Sequence, residues 1–250
     1  GEALGYYGIS THIAIAIGHP VGIYLAYAFG FPVVFISSVV AAIAGLLLST
    51  LLHVPFKKET SYVDRRMVLV EGRALFPSGV LGLAALTWGS IVSFLPLFSI
   101  EKDIGNAGLF FTVYALAVVF TRGPLGKLSD THGRGWVIVP CLISMAIGLG
   151  LLSQAEGVLL FLVAAFLYGV GFSGAFPALI ALTVDRVSTW RRGAAMGTFT
   201  AFMDLGIGAG AFLWGMVAQV SSYSLMYLSA AVMPMVAACI YLLKAKGFKG

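Results

Sequence analysis

The chain has 250 residues, of which 60% are hydrophobic and only 10% charged, with a formal net charge of +5. A soluble domain carries roughly 25% charged residues, so this composition excludes a globule that covers itself with polar surface in water. The solvent is lipid, and the apolar runs are too many and too long for one signal peptide ahead of a soluble domain.

Taking about 20 apolar residues as one crossing, the sequence predicts eight spans: Tyr7–Phe29, Phe31–Leu52, Ala74–Phe98, Ala107–Phe120, Trp136–Leu152, Gly157–Val184, Ala194–Val220 and Leu225–Leu243. Backbone groups in lipid must be satisfied within the segment, and barrel-like alternation is absent, so the spans are helices. The fourth is short and has room to extend into its flanking connections. The expected fold is an all-α integral membrane bundle.

The connections alternate in charge. The stretch after the second span carries Lys57, Lys58, Arg65, Arg66 and Arg73, and the next has Glu101, Lys102 and Asp103. Arg122, Lys127 and Arg134 follow, then a connection with Glu156 alone, then Arg186, Arg191 and Arg192, and the tail ends in Lys244, Lys246 and Lys249. Every basic residue except Lys102 falls on one side, which the positive-inside rule makes the cytoplasm, with both termini of this chain there. The basic excess is topology information, and no nucleic-acid partner is expected. Cys141 and Cys239 both lie in apolar runs, in no disulfide or metal pattern.

The stretch 53–73 is the one long polar interval and the expected domain boundary, a cytoplasmic linker with two spans before it (1–52) and six after it (74–250). A second polar interval, Arg122 to Arg134, is much shorter and holds three cations, Asp130 and three glycines. Its length forces a hairpin with the charges held at one membrane face. Charge placement accounts for Arg122, Lys127 and Arg134, but not for Gly126, Leu128, Asp130 and Gly133 at their offsets.

The stretch GKLSDTHGR, Gly126 to Arg134, resembles the G-x-L-x-D-x-x-G-R loop signature of the major facilitator superfamily of transporters. An internal repeat agrees with two similar six-helix halves: Gly1, Ala3, Gly5, Ile15 and Gly18 match Gly193, Ala195, Gly197, Ile207 and Gly210 without a gap. The resemblance makes the first span the fifth helix of twelve and the seventh span the eleventh. About four helices are then expected in front of Gly1, in keeping with a first residue that is not Met. It further implies that Arg122, Gly126, Asp130, Gly133 and Arg134 form a cytoplasmic gate, with Asp130 at the positive end of a neighbouring helix. The alternative is that the charges there are topology signals only.

Asp204 is the one carboxylate well inside a span, roughly ten residues or about 15 Å deep. An intramembrane acid is a functional hypothesis by default. Helical spacing places Gly197, Ala201, Asp204, Gly208, Ala211 and Gly215 on one side, a stripe of small residues suited to close helix contact. Asp204 is either a structural acid bonded to a neighbouring helix or a proton-coupling or cation-binding group. His12 falls opposite it in the repeat and is the second coupling candidate. His12 and His19 share a helix face about 10.5 Å apart, too far for one metal ion to hold both; they are packing histidines or relay groups. No metal is expected.

Gly18, Pro20 and Gly22 resemble a degraded form of the glycine–proline motif of the fifth helix in antiporters of this superfamily, with His19 intervening. Gly171, Ser173 and Gly174 match the G-x-S-G of rhomboid-type proteases, but no His follows His132 to serve as base, so no enzyme is expected. Gly169, Gly171, Gly174 and Pro177 are read instead as loosening the sixth span. By the resemblance, the third and sixth spans line the central cavity, with Trp88, Ser93, Phe94, Tyr168, Phe172, Ser173 and Phe176 as lining candidates. Aromatics with few hydroxyls suit an amphipathic or apolar solute.

The expected function is therefore secondary active transport of a small organic solute by alternating access, as proton-coupled efflux; uptake symport of a sugar or other metabolite is the alternative. A non-transporting membrane protein is the third possibility. The expected energy source is a proton gradient with no cofactor, the partners are membrane lipid and the solute, the state is monomeric, and the location is the bacterial inner membrane.

Overall fold

The computed structural model describes residues 2–51 and 70–245, with side chains described at 14, from 17 to 51 and from 70 to 244. The described residues are helical throughout, apart from short turns. They form α1 (Glu2–Phe29), α2 (Phe31–Thr50), α3 (Leu75–Glu101), α4 (Gly108–His132), α5 (Gly135–Ser153), α6 (Val158–Asp185), α7 (Arg192–Val220), α8 (Tyr223–Ala230) and α9 (Val232–Ala245). One-turn 3₁₀ segments, Gly72–Ala74 and Thr189–Arg191, lead into α3 and α7. Seven segments, from Phe31–Thr50 to Tyr223–Lys244, are long and apolar enough to cross a membrane. The first expected span is α1. The expected linker 53–73 lies mostly outside the described residues.

One expectation is corrected. Arg122 to Arg134 is not a loop: α4 runs on to His132, and the turn is Gly133 (φ +97°) with Arg134. Apolarity marks where a helix lies in lipid, but the helix ends where its backbone turns. A polar helical stretch continues beyond the apolar run as readily as it stops, until a glycine takes a φ that L side chains avoid. The eighth expected span is present as Tyr223–Lys244, with a one-residue break at Ala231 between α8 and α9. Pro234 lacks the N–H that would bond to Ala230, and its ring crowds that carbonyl. Helix α6 is continuous from Val158 to Asp185 with Pro177 inside it. Its glycines let neighbours approach: a side chain at Gly169 would stand 2.7 Å from the Tyr114 carbonyl oxygen, and Gly171 and Gly174 are pressed against Cys141.

The bundle is built by pairing α3 with α7, α5 with α6, and α4 with α6, while α1 lies on α4 and α2 on α1. Close approach decides the first pair. Any side chain at Gly210 would run into the backbone of Leu86, and one at Gly206 would meet the Gly82 carbonyl oxygen at 2.5 Å. Where lipid is as apolar as leucine, such backbone proximity drives helix association. The core is dense with large side chains, including Phe98, Phe110, Phe161, Phe199 and Tyr227, all essentially inaccessible. By contrast α2 buries no residue.

Candidate functional site

Two places gather residues of functional character. The first is an aromatic cluster where α3, α4 and α6 meet. Trp88 of α3 lies 5.0 Å from the Tyr114 ring, 5.8 Å from Phe172, 6.2 Å from Tyr168 and 6.3 Å from Phe111, centroid to centroid. Phe172 stacks on Phe176 at 5.3 Å, and Phe176 continues to Phe199 on α7. Separations of 4.5–7 Å are those that aromatic quadrupoles favour. His19 of α1 stacks on Phe111 at 4.1 Å, so α1 reaches the rim of the cluster. Pro20 beside it presses on Gly108, where no side chain would fit.

One hydroxyl pair is buried in the cluster. The Thr87 hydroxyl donates to the Ala84 carbonyl at 2.7 Å, so in its 2.8 Å contact with Tyr168 it accepts and the phenol donates. Trp88, Tyr168, Phe172 and Phe176 thus come together in one packed cluster. Phe94 instead packs beside Tyr223 and Gly215, and Ser93 is exposed away from the cluster. Ser173 is buried with its hydroxyl donating to the Val118 carbonyl at 3.3 Å, a helix-to-helix bond that corrects its placement in the cavity. Sequence reasoning missed Thr87, Phe111 and Tyr114. Phe111 and Tyr114 belong to a helix assigned no lining role, and the one available signal was a tyrosine deep in an apolar run.

The second place is the end of the bundle where basic residues collect. Arg134 binds Asp130 one helical turn earlier, while its Nε donates to Asp185 Oδ2 at 3.3 Å and its Nη1 to Ser129 Oγ at 3.3 Å. The turn after α4 is thereby tied to the end of α6. Burial alone would lower the Arg134 pKa, but hydrogen bonds and charges of Asp130 and Asp185 outweigh it and raise the value. Asp130 and Arg134 of the gate motif are brought together, and Asp185 joins them unannounced. Gly126 has open space around it, and Arg122 is part-buried two turns along α4 from Tyr114.

Beside this network, Glu71 is 3% exposed and its carboxylate accepts from Arg191 at 3.2 Å, while its backbone N–H donates to Thr198 Oγ1 at 3.0 Å. Those bonds pin the entry of α3 to the entry of α7. Glu71 had no sequence signal apart from its charge.

Asp204 lies on the exposed face of α7, opposite the α3 contact, with no hydrogen-bond or ion-pair partner among the described residues. Gly197 and Gly208 of its stripe also face open space. The α7 glycines that meet the α3 backbone are Gly206 and Gly210, on the other side of the helix, while Gly215 at the end of the stripe meets the Phe94 ring. Gly18 and Gly22 likewise have nothing near them, and in that motif Pro20 makes the contact. The side chain of His12 lies outside the described residues. Among the described residues, no group of three His, Cys, Asp or Glu is placed to hold a metal ion.

Comparison with known proteins adds a family. A model described as Major Facilitator Superfamily matches residues 77–248. The chain is similar to the uncharacterized MFS-type transporter YhhS of Salmonella enteritidis, 31% identical over 234 residues, and to its namesake in Escherichia coli K12, 30% identical over 231. An uncharacterized MFS-type transporter of Burkholderia mallei is 32% identical over 244 residues. Each comparison covers 92% of this chain and 56% of the relative, so the chain spans about half the length of the curated relatives it matches.

Proposed function

The chain belongs to the major facilitator superfamily, and on that premise we propose that it forms part of a secondary active transporter moving a small organic solute by alternating access. It is a multi-pass integral membrane protein of an all-α bundle type. The observation that carries the transport reading is Trp88, ringed by Phe111, Tyr114, Tyr168 and Phe172 with no fixed charge among these partners. Such a lining favours an amphipathic or apolar solute, gripped by flat ring faces and oriented by one hydroxyl pair.

The direction proposed is efflux coupled to proton entry. Asp204 is the coupling group, a carboxylate within a span and on a helix face that no described residue covers; His12 is the second candidate. A carboxylate inside a span is costly and is a functional position by default, and in this reading its occupancy by a proton is what selects between the two helix arrangements. Arg134, Asp130 and Asp185 act as the gate on the basic side, which the positive-inside rule makes cytoplasmic. Two helical halves rock about the central site, and α1 lying on α4 is a seam between them. The working unit is proposed to be a monomer in the bacterial inner membrane, with both ends of this chain inside and no cofactor.

The test is export of a lipophilic dye from cells making the full-length protein. Export that needs the proton gradient and is lost in Asp204→Asn supports the reading. Net accumulation of solute inside the cell turns it to uptake symport, and no gradient-dependent flux of any solute removes it.

A further inference from the structure

The basic end of the bundle holds a cavity whose lining shares no residue with the aromatic cluster. It measures about 280 Å³ and is lined by Glu71, Arg73, Val187, Ser188, Trp190 and Arg191. Its walls are the entries to α3 and α7, and two candidate spans begin there, at Gly72 and Thr189. The cavity therefore sits where hydrocarbon gives way to lipid headgroups.

Its charge is unbalanced: one carboxylate, Glu71, faces two guanidiniums, Arg73 and Arg191. Glu71 engages one Arg191 nitrogen at 3.2 Å, and a guanidinium has five N–H donors to offer. The Arg73 side chain has no ion pair or hydrogen bond among the described residues; only its backbone N–H is used, towards Glu71 at 3.4 Å. Arg192 stands just outside. All three cations gather at the N-terminal end of α7, whose first turn has no acidic residue and whose N-cap makes no side-chain bond. Cations at the positive end of a helix dipole are the unfavourable arrangement, and an anion at that spot relieves it. Topology explains why arginines lie on this side, but not why two of them border a polar cavity. Trp190, 55% exposed with the Arg191 guanidinium 4.6 Å over its ring, is an amphipathic anchor of the kind found at the membrane interface.

The geometry points to a binding site for the phosphodiester of an anionic phospholipid, held by Arg73 and the free N–H groups of Arg191, with Glu71 positioning Arg191 and Trp190 lying against the glycerol backbone. Phosphatidylglycerol fits and phosphatidylcholine does not, since a choline ammonium would bring further positive charge to the guanidiniums.

Native mass spectrometry of the full-length protein, released from detergent micelles containing phosphatidylglycerol, phosphatidylcholine or inorganic phosphate, tests this. Phosphatidylglycerol is retained over phosphatidylcholine, and its occupancy falls about fivefold for Arg73→Ala. Ser188→Asp, at an exposed position that puts a second carboxylate in the cavity, gives a similar loss. Lys127→Ala, at the same end but outside the cavity, changes nothing. Equal retention of the two lipids, or undiminished phosphatidylglycerol in both cavity variants, overturns the site. Retention of inorganic phosphate without phosphatidylglycerol overturns its assignment to lipid.

Discussion

Arg134 reaches from the turn after α4 to Asp185 at the last residue of α6, Nε to Oδ2 3.3 Å. Its Nη1 donates to both Asp130 and Ser129, so one guanidinium joins two helix ends. Both carboxylates are more than half exposed, and exposed pairs contribute about 0–1 kcal/mol. Asp185→Asn is expected to lower stability by less than about 1 kcal/mol, while changing the rate of solute flux if the tie acts as a gate. Thermal unfolding and initial flux on one preparation separate the two. A raised arginine pKa gives a contribution that is fully present below the unfolded value and is lost only as pH rises through the still higher folded value, far above pH 9. The stability lost in Asp185→Asn is therefore expected to be the same at pH 7 and pH 9 within error.

The buried hydroxyl pair gives an asymmetric prediction. Tyr168→Phe removes a donor but leaves Thr87 bonded to Ala84, at a cost of about 0.5–1.5 kcal/mol. Thr87→Val leaves the phenol of Tyr168 inside the cluster without its acceptor, at a cost of about 1–3 kcal/mol. Chemical unfolding in mixed micelles should rank Thr87→Val as the more damaging, and the reverse order would mean that the donor assignment is wrong.

Glycine substitutions separate packing from propensity. Gly210→Ala puts a Cβ into the backbone of Leu86, and that backbone cannot step aside without parting α3 from α7. A loss of about 3 kcal/mol, or failure to accumulate folded protein, is expected. Gly150→Ala, on α5 with nothing within 4 Å, gains up to about 1 kcal/mol of helix propensity. Melting temperatures of the two variants check the contrast.

Arg191→Ala strands a carboxylate that is 3% exposed. Because Arg191 itself is 40% exposed, water softens the loss to about 2 kcal/mol, below that of a fully buried pair. Arg192→Ala, next along the chain, is expected within about 0.5 kcal/mol of wild type. Denaturant midpoints of the two variants measure the difference.

Much of the architecture was legible in the sequence because lipid imposes one simple rule: an apolar run of sufficient length is a helix that spans. That rule located α2, α3, α5, α6 and α7 to within a few residues of their observed ends. It failed where polarity and backbone part company, at Arg122–His132, which is helical although charged. The family was legible from Gly126, Asp130, Gly133 and Arg134, because a charged turn with fixed offsets carries more information than an apolar stretch. Trp88, Tyr168, Phe172 and Phe176 were picked together, and their rings do pack into one cluster. Asp185, Glu71 and Thr87 were not picked, since each matters through a partner far away in sequence: Arg134 at 51 residues, Arg191 at 120 and Tyr168 at 81. Gly206 and Gly210, which meet the α3 backbone, were not picked, because two glycine rows run along α7 and only the neighbour distinguishes them.

The central claim is that the helices alternate through a bilayer with the gate network and the Glu71–Arg191 pair on one side. Labelling single cysteines in intact cells with a membrane-impermeant maleimide tests it most directly, in full-length protein with Cys141 and Cys239 replaced by serine. Asn106→Cys and Glu156→Cys should be modified from outside, while Lys127→Cys and Trp190→Cys should react only after the cells are opened. Modification of Lys127→Cys and Glu156→Cys from the same compartment would contradict the account.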